Sequence, residues 1–252
     1  MEYFWKQQDD IPQGLGYPLF GTTHFISVIM TLAGVFLIAR IFMRLKNETQ
    51  VRWLKAIPLI MLSMELFKDG FLLSVNRFGL GYLPFHICSI GIFIFILNEV
   101  LPSRKAGEIL GEIAFIVIMP ASFAALLFAD WIIYYPVRNF MNLYSYIWHG
   151  MLILYPVLKS MNRELMPDIK HIHYVILFFC IVIPPVYIFD KCYDCNYFFI
   201  NWPVTNSPLE WFAAKMGNPG YLLGYASLTV AVVLIEYSVI HILRGKRSEK
   251  AD

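Results

Sequence analysis

Ala56-Ile57-Pro58-Leu59-Ile60-Met61-Leu62-Ser63-Met64-Glu65-Leu66-Phe67-Lys68-Asp69-Gly70-Phe71-Leu72-Leu73-Ser74-Val75 is an apolar run whose only charges are Glu65, Lys68 and Asp69. A helix of about 20 residues is what it takes to cross about 30 Å of hydrocarbon. The three charges stand at i, i+3 and i+4, so they share one helical face. An ionisable side chain inside lipid costs from about 3 kcal/mol on insertion scales to about 10 kcal/mol in simulations of isolated helices, so such groups pair or face a cavity. Two readings therefore stand side by side. Either the three satisfy each other and fix the packing, or they line a functional site.

Comparable runs recur along the chain. They predict an all-α membrane protein, a bundle of seven transmembrane helices at 20–42, 56–75, 84–100, 108–128, 140–158, 173–189 and 221–243, forming a single polytopic domain over 1–252. The composition agrees: 58% of residues are hydrophobic and 15% charged, with a mean hydropathy of +0.59. Soluble domains carry about a quarter charged residues. The third run is the shortest, which implies little tilt or an irregular start. Pro120, Pro156 and the Pro184–Pro185 pair fall in or near spans, where a packed bundle tolerates the lost backbone donor. The net charge of +2 is small and scattered, which excludes nucleic acid as an expected partner. Residues 1–10 hold one lysine, three acidic residues and no apolar core, so no cleavable signal peptide is expected and the first span serves as its own insertion signal.

Lysine and arginine set the orientation. Arg44, Lys46, Arg52, Lys55, Arg104, Lys105, Lys159, Arg163, Lys170, Arg244, Lys246, Arg247 and Lys250 flank one set of span ends, against Lys6, Arg77, Arg138, Lys191 and Lys215 at the other. The positive-inside rule puts the first set in the cytoplasm, the N-terminus outside and the C-terminus inside. The connection 190–220 is then extracytoplasmic. Its aromatic and proline content predicts an interfacial cap and not a free linker.

The fifth span carries Asn142, Ser145, Tyr146 and His149 at helical spacing, which reads as one polar stripe ending on the histidine. The third span opens Leu83-Pro84-Phe85-His86-Ile87-Cys88-Ser89. On a regular helix His86 and Cys88 point about 200° apart and cannot enter one pocket, unless Pro84 leaves the first turn irregular. A buried cysteine otherwise behaves as a small hydrophobe. In the predicted topology His24, His86, His149, Glu65, Lys68, Asp69 and Asp130 all fall in the outer half of the membrane, a bias that structural polar residues alone would not produce. Cys192-Tyr193-Asp194-Cys195 has disulfide or zinc spacing but no second ligand pair, so a local disulfide or two free thiols is expected and no metal. His171 and His173 read as interfacial, while Glu236 and His241 are expected to pair with cytoplasmic-side partners. No phosphate loop, serine-hydrolase elbow or zinc helix is present, and no cofactor is expected.

Several short pieces, in this order and spacing, carry a likeness: Phe20-Gly21-Thr22-Thr23-His24, Met64-Glu65-Leu66-Phe67-Lys68, Leu83-Pro84-Phe85-His86-Ile87-Cys88, Tyr146-Ile147-Trp148-His149-Gly150-Met151, and Asn196-Tyr197 with Trp202-Pro203. At these residues the chain resembles the YwaF group of bacterial integral membrane proteins. More distantly it is similar to the eukaryotic transmembrane protein 164 family, regarded as phospholipid acyltransferases. That resemblance implies a catalytic pair made of a cysteine just before the third-span histidine and a histidine in the fifth span. His149 matches the second member. Phe85 stands at the cysteine position and cannot form an acyl-thioester, whereas Cys88 lies about one turn deeper.

These observations together lead to an expected membrane acyltransferase or transacylase acting on phospholipid or lysophospholipid from the outer leaflet of a bacterial cytoplasmic membrane. His149 would be the general base, His86 an orienting or donating group, and Cys88 the nucleophile if the route is covalent. Glu65, Lys68, Asp69, His24, Asn142, Tyr146 and Asn196 are the supporting residues, with Glu65 expected to fix a histidine's tautomer. The alternative is a transporter or ligand-binding membrane protein with Glu65, Lys68 and Asp69 along a polar pathway. A structural or partner-binding subunit is the third possibility.

Overall fold

The computed structural model describes residues 2–162 and 164–248, with side chains to Ile242. Of the charges that set the orientation, Arg163 and Lys250 lie outside the described residues, as do the side chains of Arg244, Lys246 and Arg247. The described residues form eight helices and no strand. They are α1 (Thr22–Phe42), α2 (Asn47–Ser74), α3 (Ile87–Val100), α4 (residues 104–127), α5 (Phe140–Met161), α6 (Ile172–Tyr193), α7 (Pro208–Met216) and α8 (Tyr221–Ser248). Five segments are long and apolar enough to cross a membrane: Thr22–Phe42, Leu80–Val100, Arg104–Ile133, Ile169–Tyr193 and Tyr221–Ile242. Large apolar side chains such as Met30, Phe36, Leu66, Ile181 and Leu223 are exposed around the bundle. In water such a surface would aggregate, and in a bilayer it meets hydrocarbon. The protein is a multi-pass membrane protein.

The α2 and α5 helices are less apolar because they carry the bundle's charged and polar stripes. Both are long enough: at 1.5 Å per residue, their 28 and 22 residues reach about 42 Å and about 33 Å. Local sequence sets the ends. Asn139 caps α5, its side-chain oxygen accepting from the Met141 amide at 2.8 Å, and Ser207 caps α7 by accepting from Leu209 at 3.2 Å, with Pro208 at the first helical position. Asp194, in left-handed conformation, ends α6.

The α4 helix is built as Arg104–Ile113, a π-helical stretch Ala114–Ile118, and Met119–Leu127. Pro120 has no N–H to give the carbonyl four residues back, and the widened turn just ahead of it takes up that misfit. The start of the third span is also irregular. A tight turn at Leu80–Tyr82 is followed by a second at Pro84–Phe85, where the Phe85 amide donates to the Leu83 carbonyl at 2.8 Å, and His86 (φ −65°, ψ 146°) is the residue before α3, not part of it.

The α5 helix sits at the centre, against α1, α2, α3 and α4. Glycines set how close it comes. A Cβ at Gly150 would stand 2.9 Å from Thr31 of α1, and one at Gly91 of α3 would stand 2.8 Å from Leu152. Small residues at such crossings are the usual means of close helix packing in membranes. Below these contacts Phe42, Leu54, Met61, Phe95 and Tyr155 are fully buried, and the Phe95 and Tyr155 rings stack at 4.1 Å.

The predicted spans coincide with α1, α3, α5, α6 and α8 to within a few residues. The α2 helix starts nine residues earlier than its span, because 47–55 continues it as a polar first section. The connection after α6 is folded, with α7 inside it and Tyr197, Phe198 and Ile200 packed on Val186.

The polar residues do not all lie at one end, which corrects the expected single-leaflet bias. Glu99, Glu112 and Lys159 form a second network at the opposite end. Lys159 Nζ lies 2.5 Å from Glu99 and 3.1 Å from Glu164, and Tyr155 donates to Glu99 at 2.7 Å. Glu112 accepts from Tyr237 at 2.7 Å and lies 3.4 Å from His171. Tyr237, not its neighbour Glu236, makes the pairing expected of the last span; Glu236 Oε2 is buried without a partner among the described residues.

Candidate functional site

The end of the bundle that carries the 194–220 connection encloses a cavity of about 590 Å³. Its wall is assembled from the last turns of α2, the irregular entry to α3, the second half of α4, the first turns of α5, and α7 with the start of α8. Non-helical backbone inside a membrane bundle is tolerated where it lines such a cavity, and the 81–86 segment does so.

His86, Cys88 and His149 all line this one cavity. The geometric objection to His86 and Cys88 sharing a pocket applied to a regular helix. Because α3 begins only at Ile87, the two side chains leave on the same side. His86 is held by its ring contacts, 4.6 Å from Tyr197 and 5.8 Å from Phe199. Phe85 instead packs on Phe189 and Tyr197, outside the cavity wall. No hydrogen bond joins Cys88 to either histidine among the described residues.

His149 is placed from both sides. Trp131 stacks on its ring, with centroids 5.3 Å apart and planes 6° from parallel. Its Nδ1 lies 2.7 Å from the Ser145 carbonyl oxygen. A carbonyl only accepts, so Nδ1 carries the proton and the neutral ring keeps its lone pair on Nε2. Nε2 has no protein partner among the described residues and belongs to a side chain of the cavity wall.

Glu65 and Lys68 line the same cavity and are buried. Lys68 Nζ donates to Glu65 Oε1 at 2.9 Å and lies 3.1 Å from Asp69 Oδ1. Tyr144 donates its hydroxyl to the other oxygen of Glu65. The ammonium also stands over the rings of Tyr82 (5.5 Å) and Tyr144 (5.7 Å). The carboxylate is thus used by Lys68 and Tyr144, and the tautomer role expected of Glu65 falls to the Ser145 carbonyl.

The remaining expected residues stand apart from the cavity. His24 is fully buried, with Nε2 donating to the Leu126 carbonyl at 2.8 Å and Nδ1 accepting from the Phe20 amide at 3.1 Å. The stripe on α5 splits: Ser145 and His149 face the cavity, whereas Asn142 and Tyr146 turn to Tyr17, at 3.1 Å and 3.3 Å. Asn196 organises the outer connection by accepting from the amides of Asn201 and Trp202. Cys192 and Cys195 are free thiols.

Sequence reading missed most of the aromatic wall: Tyr82, Trp131, Tyr134, Tyr135, Tyr144, Trp148, Phe198 and Phe199. It also missed the alanines Ala121, Ala124 and Ala125, which give the cavity its room on α4. A rising density of tyrosine and tryptophan near span ends was the available signal, but such residues also mark ordinary membrane interfaces.

The model of the TMEM164 family matches residues 19–237 of this chain. No curated protein and no solved structure matches it.

Proposed function

This chain belongs to the TMEM164 family, and from that premise we propose that it is a membrane acyltransferase or transacylase moving an acyl chain between phospholipid and lysophospholipid. The observation that carries the reading is the state of His149: Nδ1–H tied to Ser145, Trp131 against the ring, and a free Nε2 on a cavity with an apolar wall and a few polar groups. Such a cavity suits an amphiphile.

In the direct route, Nε2 takes the proton of the acceptor hydroxyl as its oxygen attacks the ester carbonyl of the donor. A tetrahedral intermediate forms, with its oxyanion toward His86 and the Lys68 ammonium. Collapse breaks the donor ester, and Nε2–H returns its proton to the leaving oxygen. One ester bond is made and one broken, with no cofactor consumed. The absence of a hydrogen bond from Cys88 to a histidine favours this route over a covalent one, since a thiol needs such a base to become nucleophilic.

The test uses purified protein in lipid vesicles containing a phospholipid labelled in one acyl chain and an unlabelled lysophospholipid. Label appearing in the acceptor supports the proposal. Solute uptake into the same vesicles with unchanged lipid would mark a transporter instead. The Cys88→Ser variant is expected to keep its rate to within about twofold on the direct route; a collapse to background would establish the thioester route, because serine's hydroxyl is a far weaker nucleophile.

We place α2 and α5 across the membrane with the five apolar segments, which makes seven crossings of the cell membrane, N-terminus outside and C-terminus in the cytoplasm. The basic residues support this orientation, and the cavity then opens toward the outer leaflet. Single cysteines introduced in the 194–217 segment of a chain without its native cysteines should react with an impermeant thiol reagent added outside cells, and those at 164–170 should not. The opposite labelling would reverse the orientation.

A further inference from the structure

We propose that residues 2–19 form a lid over the cavity, latched by Arg77 and contributing Gln8 to the wall, so that the occupant enters from the bilayer and not from water. The occupant is a membrane amphiphile; that identity rests on the proposed function, whereas the lid itself does not.

The segment has no long apolar run, yet it is folded onto the cavity's own walls. Ile11 and Tyr3 pack with Leu72, Tyr82, Trp131, Tyr135 and Met141, most of which line the cavity, and Gln8 reaches its edge. All of the segment but Leu19 lies ahead of the residues that the family's model covers.

Its two ends and its middle are fastened differently. The 16–19 end is a fixed hinge. Tyr17 donates its amide to the Ile132 carbonyl at 3.0 Å and its hydroxyl to Asn142, and Gly16 lies so close to the Ile132–Ile133 backbone that no side chain fits. Near the other end, Asn139 donates to the carbonyls of Tyr3 (2.7 Å) and Lys6 (2.9 Å), and the Phe140 amide donates to Phe4 (2.8 Å). Between them Arg77 spans Asp9 (2.9 Å) and Asp10 (2.8 Å) at the surface. Exposed pairs of this kind hold weakly and exchange readily with water. The closed position also leaves Gln7 Nε2 buried without an acceptor, a cost that lifting would remove. The fastening is thus firm at both ends and weak between them at Arg77, so the stretch that lifts is the one around Asp9 and Asp10.

With water excluded on that side, the open wall lies elsewhere. Ala124 of α4 and Pro208 at the start of α7 line the cavity and are also exposed. Gly81, Asp130 and Tyr134 of the wall are exposed as well; the lateral path would run past the apolar pair, between α4 and α7.

The test places a thiol at Ser145, a cavity-lining position, in a full-length chain whose four native cysteines are replaced, held in lipid nanodiscs without substrate. A charged, lipid-insoluble methanethiosulfonate reagent should label Ser145→Cys slowly. Adding Arg77→Ala should raise that rate by about fivefold, the scale that two exposed ion pairs can hold. The charge swap Arg77→Asp with Asp9→Arg and Asp10→Arg should bring it back toward the parent value, which separates a latch from a general loss of folding. An apolar maleimide that partitions into the bilayer should label parent and Arg77→Ala alike. Equal rates for the charged reagent in parent and Arg77→Ala would overturn the lid, and slow labelling by the apolar maleimide would overturn the lateral path. Neither readout involves acyl transfer, so either failure leaves the proposed activity standing.

Discussion

His149→Ala is expected to leave a folded protein whose acyl-transfer rate is lowered by at least about a hundredfold, the low end for the loss of general acid–base catalysis. The substitution removes the imidazole from one side of the Trp131 stack but leaves the Asn139 cap, the Gly150 crossing with α1 and the Glu65–Lys68–Tyr144 group in place. Folding and activity should therefore separate. The measurement is transfer of labelled acyl chain by purified protein, alongside thermal unfolding of the same sample. Full activity in a folded His149→Ala protein would remove the reason for reading the cavity as an enzyme's.

Removing one partner of the Glu65–Lys68 pair is the second large effect. Lys68→Ala leaves the Glu65 carboxylate with only Tyr144, and Glu65→Ala leaves the ammonium with Asp69 at 3.1 Å and two ring faces. An uncompensated buried charge costs about 3 kcal/mol or more, so each single variant should unfold at clearly lower denaturant. Glu65→Leu with Lys68→Met exchanges the pair for apolar side chains of similar length and should be milder for folding. It removes the polar wall, so acyl transfer should still be lost. A double variant that both folds and works would assign the pair to packing alone.

The helices were legible because hydropathy and length are strong signals in lipid, and residues 56–75 carried both the helix and its charged face. The site was legible where a residue type is expensive in lipid: Glu65, Lys68 and His149 announce themselves by their cost. His24, Asn142 and Tyr146, whose polarity is answered by other protein groups, lie away from the cavity. His24 has the same chemical character as His149, but two backbone groups satisfy it. Asn142 and Tyr146 share the helical face of His149 in an ideal count, and Tyr17, more than 120 positions away in sequence, draws them off. Nothing near them in the chain could have signalled that. The shared placement of His86 and Cys88 depended on how far the irregularity at Pro84 extends, which a helical wheel cannot decide. Of the 2–19 segment the sequence shows only that residues 1–10 lack an apolar core, since its contacts are single anchors such as Tyr3, Ile11 and Tyr17 and not a periodic pattern.

The widened turn in α4 has a consequence for how such a cavity changes over time. One extra residue in a helical turn rotates everything beyond it by about 100° relative to what precedes it. Ala121, Ala124 and Ala125 lie beyond the turn at Ala114–Ile118, so their aim at the cavity is set by that insertion as much as by their identity. If that stretch closed into regular α-helix at unchanged chain length, the three methyl groups would swing away and the bulky Phe123 would come round to the place of Ala124. The size of the chamber is therefore a property of phase along one helix, and closing or opening one turn of α4 would resize it without any substitution in its wall.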